Sequence, residues 1–154
     1  MKKILVPVDL SSATVQVCDA ACTLAQSLNA RLVLLHVVPP PPPVMGDYYA
    51  FSGPQGFELT KGAKKMAAKK MKALGHWFHK RWPETKVLQH TGPPVPVILK
   101  AAKLARPDYI VLGSHGHSAM YEMLIGSTAH GVIRKAPCPI VLVPITGRGR
   151  RSSR

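Results

Sequence analysis

Apolar residues in this chain come in two rhythms. Residues 4–8 (ILVPV), 31–38 (RLVLLHVV), 109–112 (YIVL) and 138–143 (CPIVLV) are nearly continuous apolar runs rich in valine and isoleucine, which is how strands covered on both faces read. Residues 86–90 (KVLQH) form a shorter, half-polar run of the kind found at a sheet edge. Between the runs the spacing turns helical. Ser11 or Ser12 can cap a first helix whose apolar face is Val15, Cys18, Ala21, Cys22, Ala25 and Leu28, stopped at Asn29. A second carries Leu59, Ala63, Met66, Ala67, Leu74 and Phe78 until Trp82-Pro83, a third Val97, Ile98, Ala101, Ala102 and Leu104, and residues 129–134 make a fourth. Strand and helix alternate, with crossovers long enough for right-handed βαβ units. The pattern therefore predicts an α/β fold with a doubly wound parallel sheet and helices on both faces.

In such sheets ligands bind outside the carboxyl ends of the strands, where the winding reverses. Asp9, Val37 and Gly113 all stand at predicted strand ends. The third of these opens a stretch unlike the rest, LGSHGHSAMYEMLIGST over residues 112–128. Gly113 and Gly116 let backbone N–H groups approach a ligand with no Cβ in the way, and Gly126 repeats this ten residues later. Ser127 and Thr128 add hydroxyls where a helix begins and backbone N–H groups are unpaired. The spacing G-x2-G-x9-G-[ST] is neither a P-loop, since no lysine follows Gly126, nor the dinucleotide GxGxxG. It predicts a phosphate cradle made of amides and hydroxyls. Taken singly, each glycine reads as an ordinary turn, and Asp9 reads equally as a cap on the first helix; the glycine element opposite favours a ligand role.

The chain has 154 residues, 46% hydrophobic and 18% charged, which suits one domain. Residues 1–146 are assigned to it and 147–154 to a basic, disordered tail. The first apolar run is cut by Pro7 and Asp9, too short for a signal peptide or membrane span, and Cys18, Cys22 and Cys138 fit a reducing compartment, so a cytoplasmic setting with no transmembrane segment is expected. Cys18 and Cys22, four residues apart, read as small core residues before a redox pair. A proline run at 39–43 leads into a loop bearing Tyr48, Tyr49 and Phe51, whose aromatics either pack back on the surface or serve as a lid or partner surface. His115 with His117, and His76 with His79, lack a cysteine or acid to complete a metal site, and His36 in its strand reads as a satisfied core histidine.

The formal net charge of +14 is concentrated on the second helix, at Lys61, Lys64, Lys65, Lys69, Lys70, Lys72, Lys80 and Arg81, and in the tail, at Arg148, Arg150, Arg151 and Arg154. Such clusters can meet nucleic acid, anionic lipid or acidic protein; a lysine face is also commonly just solvated.

Taken together, the opening KKILVPVDLS, LVLLHVV in the second strand, GSHGHS with GST, and the closing APCPIVLVP resemble the universal stress proteins, in the form typified by their ATP-binding members, over nearly the whole chain. The resemblance implies a five-stranded parallel sheet of order 3-2-1-4-5. It also implies that Asp9 contacts the nucleoside with Pro7 and Val8 beside it, that Val37 meets adenine through its backbone, that Leu112 and Gly113 lie by base and ribose, and that Gly116, Gly126, Ser127 and Thr128 hold the phosphates. No catalytic residue is required by it. With that strand order the fifth strand is an edge, and Ile140, Val141, Leu142 and Val143 offer an unpaired ladder on which a homodimer is expected.

Two classes of function follow. One is a nucleotide-binding regulator of the stress response, with ATP held through a bridging Mg²⁺ and hydrolysed slowly or not at all, because no P-loop lysine, second carboxylate or base for water is visible. The other is an adaptor that works through acidic partners by its basic helix and tail. Hydride transfer is disfavoured by the missing dinucleotide fingerprint.

Overall fold

Each of the apolar runs becomes a strand, and every registered strand pair is parallel. The computed structural model describes residues 1–40, 54–114 and 125–145. Its elements run β1 (Lys2–Val8), α1 (Thr14–Leu28), β2 (Ala30–Val38), α2 (Pro54–Arg81), β3 (Lys86–Thr91), α3 (Pro94–Ala105), β4 (Tyr109–Gly113), α4 (Ser127–Ile133) and β5 (Ile140–Val143). The strands form one five-stranded sheet in the order β3-β2-β1-β4-β5, the order implied by the resemblance. No described helix is long and apolar enough to cross a membrane. The aromatic loop, Gly116, His115, His117 and the arginine tail lie outside the described residues.

Alternation along the strands sorts the core into two layers. Ile4, Val6 and Val8 of β1, Leu32 and Leu34 of β2 and Val111 of β4 pack with Cys18 and Ala21 of α1 and Met71 and Phe78 of α2. Leu5, Val33, Leu35, Val37, Ile110 and Leu112 face the other way, against Ile98 and Ala102 of α3 and Val132 of α4. With both faces covered, the central strands are fully buried, Ile4, Leu5 and Ile110 at 0% exposure. β3 is the polar edge, its residues exposed or half-buried.

Helix ends and faces depart from the sequence expectation in identifiable ways. α1 begins at Thr14 with Ala13 in the cap position and no side-chain cap. The Ser11 hydroxyl instead accepts the Ala13 N–H at 3.2 Å, and the Ser11 carbonyl accepts the Thr14 N–H at 3.1 Å. Ser11 thus closes the turn before the helix, as short polar side chains can. Val15 is 56% exposed and Leu104 76% exposed, because the buried stripes are narrower than the apolar spacing suggests; Thr14 and Val17 take the inner positions of α1. Asn29 does end α1, in the left-handed region at φ 48°, where asparagine is tolerated. Gly92, at φ 145°, turns β3 toward α3 and donates its N–H to Val38 at 3.0 Å.

The thiols are chemically quiet. Burial, with Cys22 and Asp19 adding to it, pushes Cys18 up to about 12. Burial also raises Cys22 and Cys138. Protonated thiols are poor nucleophiles at neutral pH, which agrees with Cys18 as a 0% exposed core residue.

α4 is seated by a close approach. A Cβ on Gly131 would lie 2.8 Å from Val95 Cγ2 of α3, and valine in a helix has almost one rotamer to offer. Gly131→Ala should therefore destabilise by about 1–3 kcal/mol through overpacking, although alanine is the better helix former. Val95→Ala in the same chain should recover most of the loss, a coupling read by a double-mutant cycle in urea. Additive losses would mean that the two helices do not bear on each other here.

Candidate functional site

A parallel sheet ends all its strands at one edge, and in this order the winding reverses between β1 and β4. The registered pairs of β1 with β4 are Ile4–Tyr109 and Leu5–Ile110, low in both strands, and their carboxyl ends lead apart into a cavity of about 650 Å³. Pro7, Val8 and Asp9 line it from the end of β1, and Val37 from β2. Leu112 and Gly113 line it from β4, and Gly126, Ser127 and Thr128 from the start of α4. All sequence-predicted site residues within the described part are thus brought to one cavity; Gly116 is outside that part.

The lip after β1 is held by short-range hydrogen bonds. Asp9 is exposed, and its Oδ1 accepts the Ser11 N–H at 3.0 Å. This fixes a carboxylate at the cavity rim and bends the chain sharply toward α1. Leu10 between them stands at φ 62°, a left-handed conformation that costs an L-residue roughly 1–2 kcal/mol. Strain of this kind collects at ligand sites. His36 is 6% exposed, and its Nδ1 lies 2.8 Å from the Val8 carbonyl. A carbonyl only accepts, so Nδ1 carries the proton, and His36 is the satisfied core histidine expected, tying the ends of β1 and β2.

Ser114, which sequence reasoning missed, ties the other side. Its N–H donates to Val143 at 2.8 Å, its carbonyl accepts the Gly126 N–H at 2.7 Å, and its hydroxyl accepts the Ile145 N–H at 3.0 Å. One buried serine thereby anchors β4, the end of β5 and the start of α4. The only hint in sequence is its place directly after Gly113. Gly126 has φ −58° and ψ 152°, an extended backbone open to any residue, so no special dihedral requires glycine here.

Further lining residues come from the helices that cover the sheet. Ala63, Met66, Ala67 and Lys70 of α2 face the cavity at helical spacing; Met66, expected in the core stripe, is 60% exposed there. Lys70, expected on the solvent face with the other lysines, is the sole lysine or arginine among the described residues lining the cavity. Thr14 lines it from α1, and its Oγ1 is buried with no hydrogen-bond partner among the described residues. Since Leu35 and Val37 face one layer while His36 and Val38 face the other, the cavity wraps over the sheet's edge and is lined from both. Among the described residues no three His, Cys, Asp or Glu side chains gather to hold a metal.

A doubly wound α/β protein with a carboxylate-bearing, glycine-bordered crevice at its switch point is the class these features define. Residues 1–144 match the Universal stress protein family, and the chain belongs to it. Universal stress protein A homolog 1 of Coxiella burnetii is 32% identical over 144 residues, covering 92% of this chain and 95% of that protein. In structure, the universal stress protein UspA from Lactobacillus plantarum superposes with a TM-score of 0.76 at 28% identity, over 92% of this chain and 97% of its own. A family member from Arabidopsis thaliana solved with AMP bound shares the fold at a TM-score of 0.65 and 18% identity, over 93% and 91%.

The anchoring by Ser114 is open to test. Ser114→Ala leaves the Ile145 N–H without its acceptor in a partly buried setting, and should lower stability by about 1–3 kcal/mol. Urea unfolding measures it, and an unchanged midpoint would show that solvent replaces the hydroxyl at no cost.

Proposed function

We propose that this protein is a regulatory ATP-binding member of its family, acting in the cytoplasm in the response to stress. The observation that supports this most is the convergence of Asp9, Val37, Gly113 and Gly126 on one cavity of about 650 Å³, a size ordinary for small-molecule sites. Asp9 would recognise the nucleoside, with Pro7, Val8, Leu112 and Gly113 around base and ribose and the Val37 backbone at adenine. The amides and hydroxyls at Gly126, Ser127 and Thr128, with Gly116, would hold the phosphates. Lys70 adds a cation that the sequence motif lacks. Mg²⁺ fits this donor set as an ion held by phosphates, hydroxyls and water, because it needs few protein ligands and is commonly bound that way. Hydrolysis is slow or absent on this reading, since the sequence motif brings no P-loop lysine or second carboxylate and no base for water is evident among the described residues.

Calorimetric titration with ATP and ADP tests it. Asp9→Ala removes a charge-assisted hydrogen bond, on the order of 1.5–3 kcal/mol, and should weaken binding by about one to two decades. Gly126→Val should abolish binding while circular dichroism stays native, because the backbone there accepts valine and only the ligand's space is lost. No heat and no thermal protection at millimolar ATP would end the nucleotide reading.

We further propose a homodimer on β5. This strand is an edge of the sheet, and Ile140, Val141, Leu142 and Val143 are all half-buried in the isolated chain. An apolar edge with an open ladder favours pairing with its own copy across a twofold axis. Val141→Lys should yield a folded monomer in sedimentation; a persisting dimer would place the interface elsewhere.

A further inference from the structure

We propose that the outer face of α2 is a binding surface for double-stranded nucleic acid, separate from the cavity. Successive helix residues are rotated by about 100°, and burial fixes which side is which. Ala67, Met71 and Phe78 are buried, and Leu74 packs beside them. On the opposite side Lys61, Lys65, Lys69, Lys72, His76 and Lys80 fall within an arc of about 100°, all exposed. Lys64 and Lys70 stand off this arc, the latter toward the cavity. The row is therefore narrower and straighter than the sequence cluster, and it runs roughly 28 Å along the helix.

A solvated helix face ordinarily interleaves both signs of charge. This one does not. Glu58, one turn before Lys61, is the one acid in the sequence of α2, and residues 61–81 contain no aspartate or glutamate; Asp19 pairs with Arg81 at the end of the helix at 3.2 Å, and Glu84 with Arg31 at 2.6 Å. Asp108 accepts the Lys3 N–H at 2.8 Å at the start of β1. From Lys65 to Lys80 the row therefore carries one sign of charge along the helix.

The shape of the row selects the partner. Helices that bind bilayers sink an apolar face into the headgroup boundary, but the apolar face of α2 from Ala63 to Phe78 is turned to the cavity and the core. No aromatic ring lies on the row for bases to stack upon, as single-strand binding would use; Trp77 is half-buried, with the Arg81 guanidinium 4.8 Å above its ring. A narrow, one-sign line fits a linear polyanion of fixed shape. Over roughly 28 Å a duplex presents on the order of 16 phosphate charges.

Fluorescence anisotropy with a mixed-sequence DNA duplex, on the full chain across about 50–200 mM salt, tests the proposal. The parent should bind with strong salt dependence. Lys65→Gln, Lys69→Gln and Lys72→Gln together keep helix propensity and should flatten the slope of log K against log salt by about 2.7, at about 0.9 per phosphate contact. ATP titration of the same variant should be unchanged, so loss of duplex binding and failure of the nucleotide reading are distinguishable. No duplex binding by the parent at about 50 mM salt, or a triple variant with the parent's slope and affinity, overturns the proposal. Tail-deleted protein that loses all binding while the triple variant keeps it assigns the contact to the arginine tail instead. Tighter binding to phosphatidylserine vesicles than to the duplex, lost in the triple variant, makes the row a membrane contact and equally overturns it.

Discussion

The joint at which β1, β2 and β4 end governs the rest of the molecule. Parallel pairing brings every strand to the same edge, and the helices that cover both faces leave that edge as the place where backbone groups are not already in use. Register then does the positioning. Val8 is paired with His36, and the histidine reaches back to the Val8 carbonyl, so the two strand ends are locked side by side while β4 leads away across the switch point. Ser114 performs the matching task beyond β4. The crevice is a consequence of topology, held open by one histidine and one serine.

How much of this could be read from sequence depended on whether a residue's role was local. The strands, their order through resemblance, the stop at Asn29 and the burial of His36 follow from periodicity and from chemistry within a few residues. So did the convergence of Asp9, Val37, Gly113 and Gly126, because a strand's carboxyl end is itself a local fact. What escaped were roles set by a neighbour distant in sequence. Ser114 is defined by Ile145 and Gly126. Met66 and Ala63 have the spacing of core residues but sit where the sheet has ended and the cavity begins, so the stripe of α2 changes function along its length. Val15 and Leu104 carry apolar spacing onto exposed surface, since period alone does not give the width of the covered strip.

Lysines show the same division. The sequence supplies a count on α2 and a sign, and both suggest a single solvated face. Burial of Ala67, Met71 and Phe78 resolves the count into an outer row, a flanking Lys64 and an inward Lys70. A helix has room for this because its buried strip uses about a third of its circumference. The remaining two thirds here are split between cavity and solvent.

Two anionic ligands on one helix raise the question of coupling. Allostery requires that each ligand bind at least two states of the protein unequally, and the structure shows one seating of α2, with Ala67, Met71 and Phe78 buried. What is left is direct electrostatics. A bound polyphosphate beside Lys70 would neutralise part of the positive field at one flank of α2, and a duplex on the row would do the same from outside. Each would weaken the other's field, so the coupling is unfavourable and reciprocal. Water separates the two across the exposed side of the helix, and its high dielectric and salt reduce the effect within a Debye length of about 8 Å. Lys70 and the row lie about a quarter-turn or more apart around a helix some 10 Å wide. The antagonism is then small at physiological salt and grows as salt is lowered, which makes the two surfaces of α2 close to independent by geometry and by screening.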